Sequence, residues 1–194
     1  KRGDDELLAL RQAVCDAHGV PLVAVPDPER DRDDPADYPA AVADWHRARV
    51  AAYERVLGER GGTAAFLVWG DPALYDSTLR IVERIAERGI VPVTYDVLPG
   101  ISAPQLLAAR HRIVLHEVGR PVHVTPARRL HEALTTGHDD IVVMLGAEPR
   151  FEGLEQWSVW WGANMGTDTE ELVAGRVGNV LPQIHQARER ARAR

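Results

Sequence analysis

The stretch FLVWGDPALYDSTLRIVERI, residues 66–85, decides how the chain is read. An apolar run from Phe66 to Trp69 stops at Gly70-Asp71-Pro72. A pattern then follows in which Leu74, Thr78, Ile81, Val82 and Ile85 share one helical face. This is the grammar of a strand, a tight corner and a helix. Asp71 is a good N-cap, Pro72 suits the first helical position, and Gly70 permits the reversal. Those three facts account for the corner without any ligand. Its place allows a second reading, because ligands of open α/β sheets sit beyond the carboxyl ends of the strands.

The same grammar extends both ways. Asp4 or Asp5 caps a helix that runs to about Ala17 and stops at Gly19, and residues 20–25 read as a strand. The charged, Pro-punctuated segment 27–39 is a solvated connector or a lid. Ala41, Trp45, Ala48, Ala52 and Val56 predict a helix over residues 40–59. Residues 63–69 are apolar throughout, as in a strand covered on both faces, and residues 91–98 form another strand. Ser102 opens a helix with Gln105 completing a capping box. Further on, residues 113–116, 122–124 and 141–145 read as short strands, with a helix after Thr125-Pro126 that ends at Gly137. Residues 157–161 and 172–177 form a final strand pair, and Val180, Ile184, Ala187 and Ala191 mark a C-terminal helix. Alternation of this kind predicts an α/β fold, mostly parallel in the first part, with a domain boundary that separates residues 1–108 from 109–194.

Bulk properties narrow the function. The 194 residues carry a net charge of -6, which disfavours a general nucleic-acid binder. The single cysteine, Cys15, cannot form an internal disulfide and suits a reducing cytoplasm. No apolar run approaches the roughly 20 residues that cross a bilayer. The eight histidines form no H-E-x-x-H pattern, so no metal is expected. No G-x-S-x-G nucleophile elbow is present either.

Two more glycine-bearing corners follow strands: Pro99-Gly100-Ile101-Ser102-Ala103 and Met144-Leu145-Gly146-Ala147. Neither they nor Gly70-Asp71-Pro72 make a dinucleotide fingerprint or a phosphate loop. In order, Gly70-Asp71-Pro72-x-x-Tyr75, Pro99-Gly100-Ile101-Ser102-Ala103 and WGANMGT (residues 161–167) resemble the tetrapyrrole methylase family. The resemblance implies two α/β domains, the second with a mixed sheet, and S-adenosylmethionine bound in the cleft between them. The family opens with a strand and a Gly-x-Gly-x-Gly-Asp-Pro turn, which this sequence does not contain. Lys1 without a preceding Met, and Arg194 inside a basic helical run, read as trimmed ends.

Carried over residue by residue, the resemblance implies cofactor contacts from Gly70, Asp71, Leu74, Ser102, Ala103, Leu145, Gly162, Met165 and Gly166. It implies methylation of precorrin-5 at ring carbon C1 with loss of the acetyl group, and a homodimer. Acetyl loss needs a positioned water and a group to move its proton, for which Asp71, Tyr75, Asp76, Tyr95 and Asp96 are the candidates. Each also has a plain structural reading as a cap or first-turn residue. Arg110-His111-Arg112 and Arg128-Arg129 either meet substrate carboxylates or lie at the surface. The alternatives are a methyltransferase for another tetrapyrrole and a non-catalytic S-adenosylmethionine-binding module.

Overall fold

The computed structural model describes residues 6–28, 38–146 and 150–193. The expected caps at Asp4 and Asp5, most of the segment 27–39, and Ala147 lie outside these residues, as does the side chain of Ala41. The chain groups into two compact units, Lys1–Gly100 and Ile101–Arg194.

In the first unit, α1 is Glu6–Ala17, α2 is Tyr38–Arg60 and α3 is Thr78–Arg88. The core lies where α3 meets α2. Ile81 and Ile85 are almost wholly buried beside Val50, with Tyr53, Leu57 and Val93 packed around them. On α2 the core is reached by Val50, Tyr53 and Leu57, while Trp45, Ala52 and Val56 of the expected face are half-buried and Ala48 is exposed. Glu54 is buried on the same helix and accepts a hydrogen bond from Arg88 Nε at 2.8 Å. The helix α3 stops at Gly89, whose left-handed backbone (φ 62°) closes the last turn.

Three expected strands of this unit, residues 20–25, 63–69 and 91–98, form no ladder among the described residues. An apolar run becomes a strand only when a second backbone lies about 4.8 Å away in register. Coverage is also one-sided rather than two-sided. Phe66 and Val68 are half-buried while Leu67 and Trp69 are exposed. Val91 and Val93 are half-buried while Pro92 and Thr94 between and after them are exposed, and from Tyr95 to Leu98 both faces are exposed. The Phe66 ring meets Tyr53 of α2 edge-on at 5.2 Å. One face of residues 66–69 and of residues 91–94 thus packs on the helices and the other does not.

In the second unit, α4 (Ala103–His111) starts with the predicted capping box: Gln105 Oε1 accepts from both the Ser102 N–H and its hydroxyl, at 2.8 Å each. Residues 113–116 are not a strand. Next come β1 (His123–Pro126), a short 3₁₀ turn, α5 (Leu130–Thr135) and β2 (Ile141–Met144). The strands β1 and β2 are parallel, with His123 opposite Ile141 and Pro126 opposite Met144. Thr125 and Pro126 therefore end a strand instead of capping α5 directly. The expected terminal pair forms as β3 (Ser158–Ala163) and β4 (Glu171–Arg176), antiparallel, with Trp161 opposite Val173. Among the described residues the second unit thus holds one parallel and one antiparallel strand pair, the mixture of strand directions expected there. The last helix, α6 (Val177–Arg192), buries Val180, Ile184 and Ala187 of the predicted stripe, with Ala191 half-buried, and extends it by Val177 one turn earlier. Among the described residues no helix is long and apolar enough to cross a membrane.

Candidate functional site

The corner after residue 69 does not cap a helix. The helix α3 begins seven residues beyond Asp71, at Thr78, and residues 71–77 form a run of turns. Asp71 works inside that run. Its Oδ1 accepts from Ala73 N–H at 2.8 Å, and its backbone oxygen accepts from Leu74 N–H at 3.2 Å. Its Oδ2 accepts from Gly100 N–H at 2.9 Å, across 29 residues. One carboxylate thus ties the Gly70-Asp71-Pro72 corner to the Pro99-Gly100 corner. The Gly100 N–H, and after it the Ala73 N–H, hold the Asp71 carboxyl below its ordinary 3.8. Gly100 is required by contact as well: a Cβ there would lie 2.3 Å from Gly70 O.

The neighbouring candidates are held by similar means. Asp76 Oδ1 accepts from Thr78 N–H at 2.6 Å, so Asp76, not Asp71, serves the start of α3. The Ser77 hydroxyl accepts from Arg49 Nη1 at 2.7 Å. Arg49 also donates to Tyr53 Oη at 3.1 Å, pairs with Asp27 at 3.1 Å and lies over the Trp45 ring at 4.7 Å. Nothing in helical periodicity marks this arginine, because its partners come from three separate segments. Tyr75 is exposed, and so are Tyr95 and Asp96.

In the second unit, Ser102 is buried with its hydroxyl engaged by Gln105, and Ala103 is exposed. The loop after β3 is packed from within the unit. A Cβ on Gly162 would lie 2.5 Å from Met165 Sδ and 2.7 Å from Leu107 Cδ1, and one on Gly166 would lie 3.2 Å from Leu106 Cδ2. The α4 leucines therefore sit against Gly162 and Gly166. Glu170 secures the loop from the other side: its Oε2 accepts from Gly166 N–H at 2.8 Å and its Oε1 from Arg110 Nε at 2.7 Å. Those bonds, the Gly166 N–H first, hold the Glu170 carboxyl below its ordinary 4.5. Arg110 is thus paired with Glu170. Arg129 is paired with Glu132 of its own turn, and Arg128 is exposed. Glu170 is not singled out in the sequence; its one local sign is an acidic pair, Glu170-Glu171, where a strand begins.

Backbone strain marks these corners. Among the described residues four non-glycines have left-handed φ: Tyr75 (54°), Arg112 (57°), Leu145 (57°) and Asn164 (49°). Arg112 is the C-cap of α4, an ordinary place for that conformation. The other three fall in the Gly-Asp-Pro-Ala-Leu-Tyr, Met-Leu-Gly and Gly-Ala-Asn-Met-Gly corners. Asn tolerates that region well, but Tyr and Leu do not. Such strain persists where surrounding structure imposes it, and it concentrates at ligand sites. Leu145 is also 65% exposed at the end of β2, an apolar side chain presented to solvent.

Comparison with known proteins bears on what these corners hold. The model of the tetrapyrrole (corrin/porphyrin) methylases matches residues 3–181. A precorrin-6A synthase (deacetylating) from a Sinorhizobium species is 46% identical over 168 residues, which cover 84% of this chain and 64% of that protein. The chain therefore spans a little under two thirds of that relative's length. The crystal structure of a cobalamin synthesis related protein, CobF, from Corynebacterium diphtheriae matches with a TM-score of 0.83 at 35% identity, covering 99% of this chain and 79% of the other.

Proposed function

The chain belongs to the tetrapyrrole (corrin/porphyrin) methylases, and from that premise we propose that it is an S-adenosylmethionine-dependent C-methyltransferase. Its substrate is precorrin-5, methylated at C1 with release of the acetyl group as acetate to give precorrin-6A. The likeness to a precorrin-6A synthase supports the choice of substrate. The observation that carries the reading is the strain: Tyr75 and Leu145, two bulky residues in left-handed backbone, lie in the corners that the family motif singles out.

The residues at the corners suit a sulfonium nucleoside. Residues 70–76, 98–103, 144–146 and 161–166 contain no Lys or Arg. They offer backbone amides and carbonyls, small side chains and apolar walls such as Leu74, Leu145 and Met165. Gly70, Asp71, Leu74, Ser102, Ala103, Leu145, Gly162, Met165 and Gly166 are the residues we assign to the cofactor. When bound, S-adenosylmethionine supplies the electrophilic methyl carbon. The chain's own task is then to align the macrocycle carbon with it and to exclude water, and orientation of this kind contributes up to about 7–11 kcal/mol.

The two amide hydrogen bonds on Asp71 favour its ionised form, so in the cofactor-assigned corner it would act as a fixed negative charge suited to a cationic ligand rather than as a proton shuttle. Proton transfer during acetyl loss falls to Tyr75, Asp76 or Asp96, acting on a water that attacks the acetyl carbonyl. The enzyme works in the cytoplasm as a homodimer, which light scattering on the purified protein checks. Incubation with precorrin-5 and methyl-labelled S-adenosylmethionine tests the whole reading. Label on the macrocycle with one acetate released per methyl is the expected result. Tight S-adenosylhomocysteine binding without any transfer of label would refute it.

A further inference from the structure

Glu170 stands outside every motif, yet its hydrogen bonds tie the loop 162–166 to α4. Its two carboxylate oxygens have different partners: the Gly166 N–H at 2.8 Å and Arg110 Nε at 2.7 Å. Its side chain is 16% exposed and that of Arg110 is 48% exposed, so the bond to the loop is the shielded arm and the bond to the arginine the open one. The loop has few other ways to hold its shape at this end. Gly166 has φ 81°, a glycine conformation with no side chain to anchor, and Asn164 has φ 49°. Gly162 and Ala163 are held in the ladder opposite Leu172 and Glu171, and further anchors lie around Asn164. Its Nδ2 donates to Thr169 Oγ1 and to Ala191 O, both at 3.0 Å, and its backbone oxygen accepts from Thr167 N–H at 3.1 Å. At the Met165-Gly166 end, Glu170 joins the Gly166 N–H to Arg110 of α4.

We infer that Glu170 is a positioning residue for cofactor binding: its carboxylate sets where the Met165-Gly166 backbone stands, with Arg110 steering the carboxylate. This rests on the assignment of residues 162–166 to S-adenosylmethionine. A carboxylate does here what an amide or ammonium cannot, because the Gly166 N–H needs an acceptor while Arg110 needs an anion. The pairing therefore has a direction that an ordinary stabilising ion pair lacks.

The test uses the full chain and S-adenosylhomocysteine, with affinity by calorimetry and exchange of the Gly166 amide by NMR. Glu170→Ala should weaken binding about tenfold and lose protection of that amide. Arg110→Met should weaken binding by a smaller factor. In the swap Glu170→Arg with Arg110→Glu, the ion pair is restored and the melting temperature should recover. The affinity should not, because an arginine at position 170 cannot accept from Gly166. Wild-type affinity in Glu170→Ala, or a swap that restores affinity as well as stability, would overturn the positioning role and leave the cofactor assignment intact. A wild-type protein that does not bind S-adenosylhomocysteine would overturn both.

Discussion

Replacing Gly100 by alanine separates the two joined corners and nothing else. The backbone at Gly100 is not left-handed, so alanine can adopt it; the penalty is contact alone. The new Cβ would stand 2.3 Å from Gly70 O, 3.1 Å from Gly70 C and 3.6 Å from Asp71 Cα. Real Cβ atoms essentially never come closer than 3.0 Å, so the corners must part by at least the difference, 0.7 Å. Both neighbours are backbone, and no rotamer change relieves the clash. A shift of that size stretches the Gly100 N···Asp71 Oδ2 bond from 2.9 Å to about 3.6 Å, past the range of a hydrogen bond. Overpacking of this kind costs about 1–3 kcal/mol, or roughly 2–12 °C in melting temperature for a chain of this size. Because the moved corner is the one assigned to the cofactor, S-adenosylhomocysteine affinity should fall with it. Thermal melts followed by circular dichroism, with calorimetric titration alongside, read both effects. A variant that melts within about 1 °C of wild type and binds equally well would refute the idea that close approach at Gly100 holds the corners together.

Three further outcomes follow from named contacts. The Asp71 carboxyl is held below 3.8 in the folded chain, so its contribution to stability is present above that value and is lost as the pH falls through its folded pKa. Asp71→Asn should remove this part of the acid sensitivity, and melting curves of wild type and variant should converge as the pH drops below about 4, while parallel curves down to acid pH would argue against it. Ile85 is completely buried between α2 and α3, so Ile85→Ala should cost about 2–5 kcal/mol in urea unfolding, whereas a cost under about 1 kcal/mol would mean the helix pair is not the core. Gly162→Ala meets Met165 Sδ and Leu107 Cδ1, which are flexible side chains, so it should lower the melting temperature less than Gly100→Ala while still weakening S-adenosylhomocysteine binding; a larger thermal loss than at Gly100 would contradict the packing described.

The sequence by itself determined the α/β character and, among the described residues, the place of six helices, although α3 starts at Thr78, well past the expected start at Asp71-Pro72. It also determined the capping box at Ser102 and Gln105 and the final strand pair, whose antiparallel direction the structure supplied. Helical hydrogen bonds join residues four apart, and caps act within one turn, so spacing and residue type carry that information along the chain. Only the tertiary structure decided that Asp71 bonds Gly100 instead of capping α3, leaving Asp76 to serve the helix start. It also decided that residues 66–69 and 91–94 cover one face only, and that Gly162 makes room for Leu107 and Met165 of its own unit. The roles of Arg49 and Glu170 belong to the same class. A ladder, a carboxylate bridge or a close approach depends on groups tens of residues apart meeting in space, and no local spacing of residues records where the folded backbone brings them together.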